Sequence, residues 1–274
     1  AITSPNSWNR SNCITRAATE EPGMSGMSIV TYDRHIELDI KTKEPFDRIW
    51  AFHHREAPLL TVPDSLSDGI CCPALDNDEM TLIPLSRPVE QIRLCASVAD
   101  SSFAHSAFYG FSLENGRSGV LYHSFGINGN TYAAINRNPQ IVRQASGLCP
   151  DLVIVSLGTN DSYGASFDPA DADVQITRLI DSIRRNMPAS VLLLTTPMEH
   201  CRRIRSKGRT YRKPNPNACA MRECILRQAA LYRLPVWDFY AAAGGDGAMG
   251  RWADLGIANA DRVHLSREGY RLQG

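Results

Sequence analysis

Two residues near the end of the chain have side chains suited to acid–base chemistry. Asp261 and His264 lie three positions apart in the stretch Asp-Arg-Val-His. An imidazole can accept and release a proton near neutral pH, and a neighbouring carboxylate can fix which ring nitrogen carries that proton. The alternative interpretation is a loop histidine whose ring is satisfied by a neighbour and has no part in a reaction.

A second polar stretch follows an apolar run. Residues 152–157 read LVIVSL and lead into Gly158-Thr159-Asn160-Asp161. A run of this kind is typical of a strand covered by helices on both faces, and open α/β sheets bind ligands just beyond the carboxyl ends of their strands. The glycine allows a close turn, and the Asn160 carboxamide offers two N–H donors to a developing negative charge. An ordinary Asn-Asp turn is the alternative.

A third stretch, residues 119–131, reads GVLYHSFGINGNT. It predicts a strand over Val120–Phe125 that ends in a glycine-rich turn. This turn, the Gly-x-Asn-Asp turn and the late Asp-x-x-His occur in one order on one α/β pattern. The ordered set resembles the SGNH (GDSL-type) esterase and acylhydrolase superfamily, from about Leu113 to the end of the chain.

The resemblance implies a role for each matching residue. The backbone N–H of Gly129 and the side chain of Asn160 would form the oxyanion hole. His264 would be the general base, and Asp261 would orient its ring. No metal or organic cofactor is implied, and the eight cysteines lack the paired C-x-x-C spacing of a structural zinc site.

The nucleophile is the residue that the sequence does not supply clearly. The family carries it in a Gly-Asp-Ser turn after the first strand, and the near match here is Pro63-Asp64-Ser65. Proline replaces the glycine, and the residues after Ser65 predict turns and another strand rather than a helix. Ser65 is therefore a weak candidate. We expect the true nucleophile upstream of Ala1 and a last helix continuing beyond Gly274, with the domain incomplete at both ends.

The resemblance also implies an activity. We expect a serine esterase that acts through an acyl-enzyme on acyl esters, with O-acetyl esters of a carbohydrate as the expected substrates. It further implies a secreted or periplasmic protein. The alternative is a non-catalytic glycan-binding protein with a hydrolase-like fold, because a proper Gly-Asp-Ser is lacking. The sequence leaves the particular glycan and the oligomeric state open.

Strands alternate with helices over residues 113–274, which predicts an α/β domain. Helices are expected near Asn138–Gly147, along the apolar face that starts at Ile176, and from Asn217 to Tyr232. The pattern predicts a parallel, flavodoxin-like sheet of the SGNH type with helices on both faces. The stretch Arg202–Lys213 is interpreted as a basic, solvated loop, and Cys201 and Cys219, which flank it, could form a disulfide.

Residues 1–112 show short strands at regular spacing and almost no helical period. Ile36–Ile40 alternates cleanly between apolar and polar residues. This pattern predicts an antiparallel β-sandwich, and the resemblance implies a jelly-roll-like, carbohydrate-binding-like module inserted into the catalytic domain. Residues 1–26 are expected to be a loop.

Charge and hydropathy exclude two classes of partner. The 274 residues include 29 Lys and Arg and 29 Asp and Glu, so the formal net charge is zero. Nucleic-acid-binding proteins usually carry a basic excess, and none is present here. No apolar run approaches the ~20 residues of a membrane-spanning helix.

Overall fold

The computed structural model describes residues 1–12, 22–69, 79–99 and 103–274. The strands are β1 Ile2–Thr3, β2 Asn9–Asn12, β3 Met27–Thr31, β4 His35–His53, β5 Met80–Ser97, β6 Ser106–Glu114, β7 Leu152–Ser156, β8 Val191–Thr195, β9 Cys201–Ser206, β10 Arg209–Pro214 and β11 Val236–Trp237. The helices are α1 Tyr132–Asn136, α2 Gln140–Ala145, α3 Thr159–Tyr163, α4 Pro169–Asn186, α5 Pro216–Tyr232, α6 Phe239–Ala242, α7 Ala248–Asp254 and α8 Arg267–Gln273.

Internal contacts divide the chain into two compact units. Unit 1 contains residues 1–128 and 138–148, and unit 2 contains residues 129–137 and 149–274. The sequence placed a single boundary between residues 112 and 113. The contacts instead change unit at three points, so that helix α2 belongs with the N-terminal strands.

Unit 1 is built on one antiparallel sheet of six strands. Strand β4 pairs with β5 along one edge. Along its other edge, β4 pairs first with β1 and further on with β6. Strand β6 pairs in turn with β3, and β3 pairs with β2 at the end of the sheet. The predicted antiparallel N-terminal sheet is therefore confirmed. The described residues of unit 1 form a single hydrogen-bonded sheet, in which short strands expected within 46–53 and 80–95 merge into the long strands β4 and β5.

A change of register in β4 allows even-numbered residues in its first part and odd-numbered residues in its second part to be buried in the same core. Ile36, Leu38 and Ile40 are buried, and beyond the irregular pairing around Phe46 the buried positions in the same cluster become Ile49 and Ala51. Because side chains alternate between the faces of a strand, a switch from even to odd positions requires an extra residue in the ladder. The predicted turn at residues 43–45 falls at this irregularity, inside the strand.

Helix α2 covers the other face of the same sheet. Ala145 and Leu148 pack on a second cluster that includes Phe52, Met80 and Tyr109. The buried Glu79 carboxylate accepts hydrogen bonds from Arg143 and Gln144 at 2.8 Å each. These hydrogen bonds replace the ones that the carboxylate made to water before it was buried on folding.

Several local predictions for unit 1 are wrong. Residues 58–62 form only an isolated bridge at Thr61, and residues 1–26 contribute β1 and β2 instead of a loop. Residues 120–125 are irregular, with Val120 93% exposed, because no strand among the described residues pairs with them and an unpaired segment lacks ladder hydrogen bonds. The turn expected at residues 76–78 lies outside the described residues.

Unit 2 holds a parallel sheet of three strands in the order β11-β8-β7. The predicted strands at 152–157 and 191–195 are thus confirmed, as is their parallel pairing. Strand β7 is an edge strand of this small sheet, and its side chains at Leu152 and Ile154 are each 49% exposed. The expectation that helices cover both faces of this strand is not met within the described residues.

Helix α4 follows the predicted apolar face. The Asp168 side chain accepts a hydrogen bond from the Ala170 N–H, and Pro169 occupies the first turn, where a missing N–H costs nothing. Ile176, Leu179 and related positions are buried, and α4 packs against α5. The helix ends at Asn186, two residues before Pro188, as predicted.

The basic stretch predicted as a loop is an antiparallel hairpin of β9 and β10, in which Arg205 pairs with Thr210 and Ile204 with Tyr211. Cys201 and Cys219 are both free thiols, so the possible disulfide is not formed. Among the described helices, none is long and apolar enough to cross a membrane.

Candidate active site

Asp261 and His264 form a hydrogen-bonded pair in the loop before α8. Asp261 Oδ2 lies 2.8 Å from His264 Nδ1, while Oδ1 accepts the N–H groups of Val263 at 2.9 Å and His264 at 3.0 Å. Partial burial alone would raise the pKa of Asp261, but these N–H groups and the imidazole lower it to about 2. The carboxylate is therefore ionised near neutral pH, and it holds the ring through Nδ1. This leaves Nε2 free on a side chain that is 65% exposed.

The loop that carries this pair is fixed by backbone contacts and a buried neighbour. Leu265 is buried and forms a bridge with Ala258, and the Asn259 N–H donates to the His264 carbonyl at 2.8 Å. Helix α8 approaches so closely that a methyl group at Gly269 would overlap the Ile257 carbonyl oxygen. The backbone at His264 is thus held from both sides.

The turn after β7 holds Asn160 at the start of α3. Gly158 has φ +115°, a left-handed conformation that residues with a Cβ rarely adopt. Its turn places the exposed Asn160 side chain so that Nδ2 donates to the Asn130 carbonyl at 3.0 Å. One N–H of the carboxamide is used in this way, and the second remains for another acceptor.

Gly129 lies beside the residue that Asn160 contacts. It is exposed, with φ +82°, and it precedes Asn130 and the N-cap residue Thr131 of α1. The structure therefore brings the Gly129–Asn130 segment and Asn160 together, although they are 30 residues apart in the sequence.

Asp161 is a site residue to which the sequence assigned no role. Its Oδ1 accepts the Tyr132 N–H at 2.9 Å, which ties the first turn of α1 to the turn after β7. Burial raises the pKa of Asp161 to about 6, and its Oδ2 has no hydrogen-bond partner within the described part of the chain. The sequence feature that could have identified Asp161 is its position in Gly-x-Asn-Asp. This motif starts a short helix, and backbone N–H groups at a helix N-terminus need hydrogen-bond acceptors.

A chain of buried polar contacts links this turn to the Asp261–His264 loop. Asn215 Nδ2 donates to the Ser162 carbonyl at 2.8 Å and lies 3.1 Å from His200 Nε2. The Cys201 N–H, one residue on, donates to the Arg262 carbonyl at 2.8 Å. Burial lowers the pKa of His200, which favours the neutral ring that this contact requires. Asn215 and His200 hold parts of the site in place, and only the fold reveals them.

Ser65 lies in unit 1, in a single turn of 3-10 helix over Asp64–Leu66. It is exposed, and no hydrogen bond joins its hydroxyl to a described residue. Within the same ranges, no three His, Cys, Asp or Glu side chains cluster as a metal ion would require.

Comparisons with known proteins give the family and the fold of the chain. Residues 99–272 match the model of the family described as GDSL-like Lipase/Acylhydrolase. The match to a solved peptidoglycan O-acetylesterase covers 99% of this chain and 74% of the esterase chain, with a TM-score of 0.74 and 19% sequence identity. The match to a solved acetyl xylan esterase, AlAXEase, covers 54% of this chain and 74% of the esterase chain, with a TM-score of 0.42 and 19% sequence identity. A search of curated proteins gives no match.

Proposed function

The chain belongs to the GDSL-like lipase/acylhydrolase family, and on that premise we propose that it hydrolyses acyl esters through a serine nucleophile activated by His264. The observation that carries the proposal is the 2.8 Å contact between Asp261 Oδ2 and His264 Nδ1. An ionised carboxylate on Nδ1 leaves Nε2 as the proton acceptor and stabilises the imidazolium that forms when it accepts.

The base, its orienting acid and the oxyanion-hole donors of the reaction are each assigned to a residue of this chain. His264 Nε2 takes the serine proton as the serine oxygen attacks the acyl carbon. The N–H groups of Gly129 and Asn160 stabilise the negative oxygen of the tetrahedral intermediate, at roughly 3 kcal/mol for each donor. The imidazolium returns the proton to the departing alcohol, and a water molecule deprotonated by the same ring then releases the acid from the acyl-enzyme.

The nucleophile is proposed to be a serine other than Ser65. Ser65 lies in a solvated single turn of 3-10 helix, and Pro63 stands where the Gly-Asp-Ser turn of the family has its glycine. We propose that the strand carrying the nucleophile pairs with the edge of β7 that no described strand occupies. The backbone N–H and C=O groups along that edge support the proposal, because they lack ladder partners among the described strands.

The substrate is proposed to be an O-acetyl ester of a carbohydrate, hydrolysed outside the cytoplasm. The shared fold with a peptidoglycan O-acetylesterase supports this class of substrate, over nearly the whole of this chain. The antiparallel sheet of unit 1 would then act as a carbohydrate-binding module.

A labelling experiment tests both the activity and the nucleophile. The full-length protein is assayed on p-nitrophenyl acetate and is treated with a fluorophosphonate, and the labelled peptide is then identified by mass spectrometry. We expect turnover, its loss on labelling, and a modified serine in a Gly-Asp-Ser turn. Labelling of Ser65 would refute the assignment of the nucleophile. The absence of both turnover and labelling would refute the esterase and leave the glycan-binding alternative.

A further inference from the structure

The hairpin of β9 and β10 carries a dense positive charge. We call residues 201–214 the basic hairpin; its sequence, CRRIRSKGRTYRKP, contains five arginines, two lysines and no carboxylate. These are seven of the 29 basic residues of a chain with no net charge. The charge is therefore local, and it belongs to this element and not to the whole surface.

The pairing within the basic hairpin sets like charges against each other. Arg203 lies directly opposite Arg212, and Arg202 lies directly opposite Lys213. Like charges at directly opposed positions destabilise an antiparallel pair. None of the seven cations forms an ion pair with a described residue. The repulsion is thus not relieved by the protein's own carboxylates in the described ranges.

The base of the basic hairpin touches the loop of the candidate active site. Arg212 Nε donates to the Asp261 carbonyl at 3.0 Å, and the Cys201 N–H donates to the Arg262 carbonyl at 2.8 Å. Side chains alternate between the faces of a hairpin, so Arg203 and Arg205 share with Arg212 the face that meets this loop. Arg212, at one end of this row of guanidinium groups, therefore contacts Asp261, and Asp261 contacts His264.

We propose that the basic hairpin binds the carboxylate groups of an acidic glycan whose ester is hydrolysed at His264. This inference rests on the proposed function and specifies its substrate class as a polymer with repeated negative charges. Guanidinium groups match planar carboxylates in paired hydrogen bonds, and Arg203 and Arg205 lie about 7 Å apart along β9, so that the row can contact more than one carboxylate. An anion bound there would also relieve the repulsion between Arg203 and Arg212.

The inference is tested by binding, which does not require turnover. Oligogalacturonate is titrated into the full-length protein by calorimetry, and a neutral xylo-oligosaccharide and a single-stranded oligonucleotide of similar length are titrated in parallel. We expect oligogalacturonate to bind best, with an affinity that falls about tenfold or more between about 50 mM and 300 mM salt. Equal binding of the neutral sugar, or tighter binding of the oligonucleotide, would overturn the proposal.

A matched pair of double variants locates the binding site. Arg203→Gln with Arg205→Gln should weaken oligogalacturonate binding at least about tenfold, whereas Arg178→Gln with Arg185→Gln, which removes the same charge from exposed positions of α4, should not. The melting temperature of the hairpin variant should be unchanged or higher, since a like-charge contact is removed. Equal losses in both variants, or none in either, would refute the proposal. p-Nitrophenyl acetate turnover by the parent protein separately tests the esterase.

Discussion

At Asp261 and His264, the geometry separates a supporting carboxylate from a reacting base. Asp261 uses both oxygens on the loop, one for two backbone N–H groups and one for the ring. Its carboxylate orients the imidazole and does not need to leave that position during the reaction. The same contacts hold the loop backbone, so that the catalytic and the structural roles of Asp261 overlap.

Replacing Asp261 by Asn should lower kcat about 10³- to 10⁴-fold, because the amide no longer fixes the ring tautomer or stabilises the imidazolium. Asp254→Asn, at an exposed position of α7, is the matched control and should leave kcat unchanged. Steady-state hydrolysis of p-nitrophenyl acetate measures both variants. A fall of less than tenfold for Asp261→Asn, in a protein of unchanged melting temperature, would remove Asp261 from the mechanism.

Asn160→Ala should lower kcat about a hundredfold or more with little change in KM, because its N–H groups act on charge that develops in the transition state. The lost hydrogen bond to the Asn130 carbonyl predicts a small additional loss of stability of about 1 kcal/mol. Kinetics and thermal unfolding measured on the same sample separate the two effects. A raised KM with normal kcat would instead assign Asn160 to uniform substrate binding.

At the scale of elements, the turn after β7 and the start of α1 are joined by a buried carboxylate. Asp161 is ionised only at a cost, since burial raises its pKa from 3.8 to about 6. A raised pKa in the folded state means that folding favours the protonated form. The stabilisation is complete below about pH 4 and is lost as the pH rises through about 6, and it amounts to about 3 kcal/mol.

Asp161→Asn should remove this pH dependence, because the amide keeps an acceptor for the Tyr132 N–H and cannot ionise. We expect the free energy of unfolding of the parent to fall relative to that of the variant between about pH 4 and pH 7. Urea denaturation at several pH values gives the difference. A constant difference across this range would show that Asp161 has an ordinary pKa in the fold.

Gly158→Ala should destabilise the protein by roughly 1–3 kcal/mol, because it forces a left-handed φ on a residue with a Cβ. The added methyl group would also lie 3.1 Å from Met221 Cγ and 3.2 Å from Pro197 Cδ. Gly250→Ala is the control, since its methyl group meets nothing within 4 Å in helix α7 and should be neutral or stabilising. Equal melting temperatures for the two variants would contradict the strain at Gly158.

Sequence patterns predicted the elements whose signals are local. The face that includes Ile176 and Leu179 identified α4, and the apolar run identified β7. The Asp-x-x-His spacing predicted a contact that the structure contains. The basic hairpin was missed because arginine and lysine have little strand preference, and its pairing depends on the turn at Lys207-Gly208. Residues 120–125 show the opposite error, since an apolar run forms a strand only where a partner strand is available.

At the scale of the whole molecule, the two units are interleaved in sequence. Residues 129–137 belong to unit 2, while residues 138–148, with α2, belong to unit 1. Glu79 of unit 1 depends on this arrangement, because its partners Arg143 and Gln144 lie on α2. A fragment cut after residue 112 would leave that carboxylate buried and unpaired.

Arg143→Ala should lower the free energy of unfolding by roughly 2–4 kcal/mol, since it removes the charged partner of a buried carboxylate. Arg87→Ala, an exposed position of β5, should change it by less than about 0.5 kcal/mol. Chemical denaturation measures both, and Glu79→Gln combined with Arg143→Ala should recover part of the loss. Equal effects of the two arginine variants would mean that Glu79 does not need its partner.

The interleaving has a consequence for synthesis on the ribosome. The sheet of unit 1 is translated almost entirely before residue 115, yet the helix that closes one of its faces emerges only with residues 138–148. Until then the nascent chain exposes Phe52, Met80 and Tyr109 together with the unpaired Glu79. We expect a chaperone to bind the exposed cluster during this interval, and a pause in translation before residue 138 should prolong the interval.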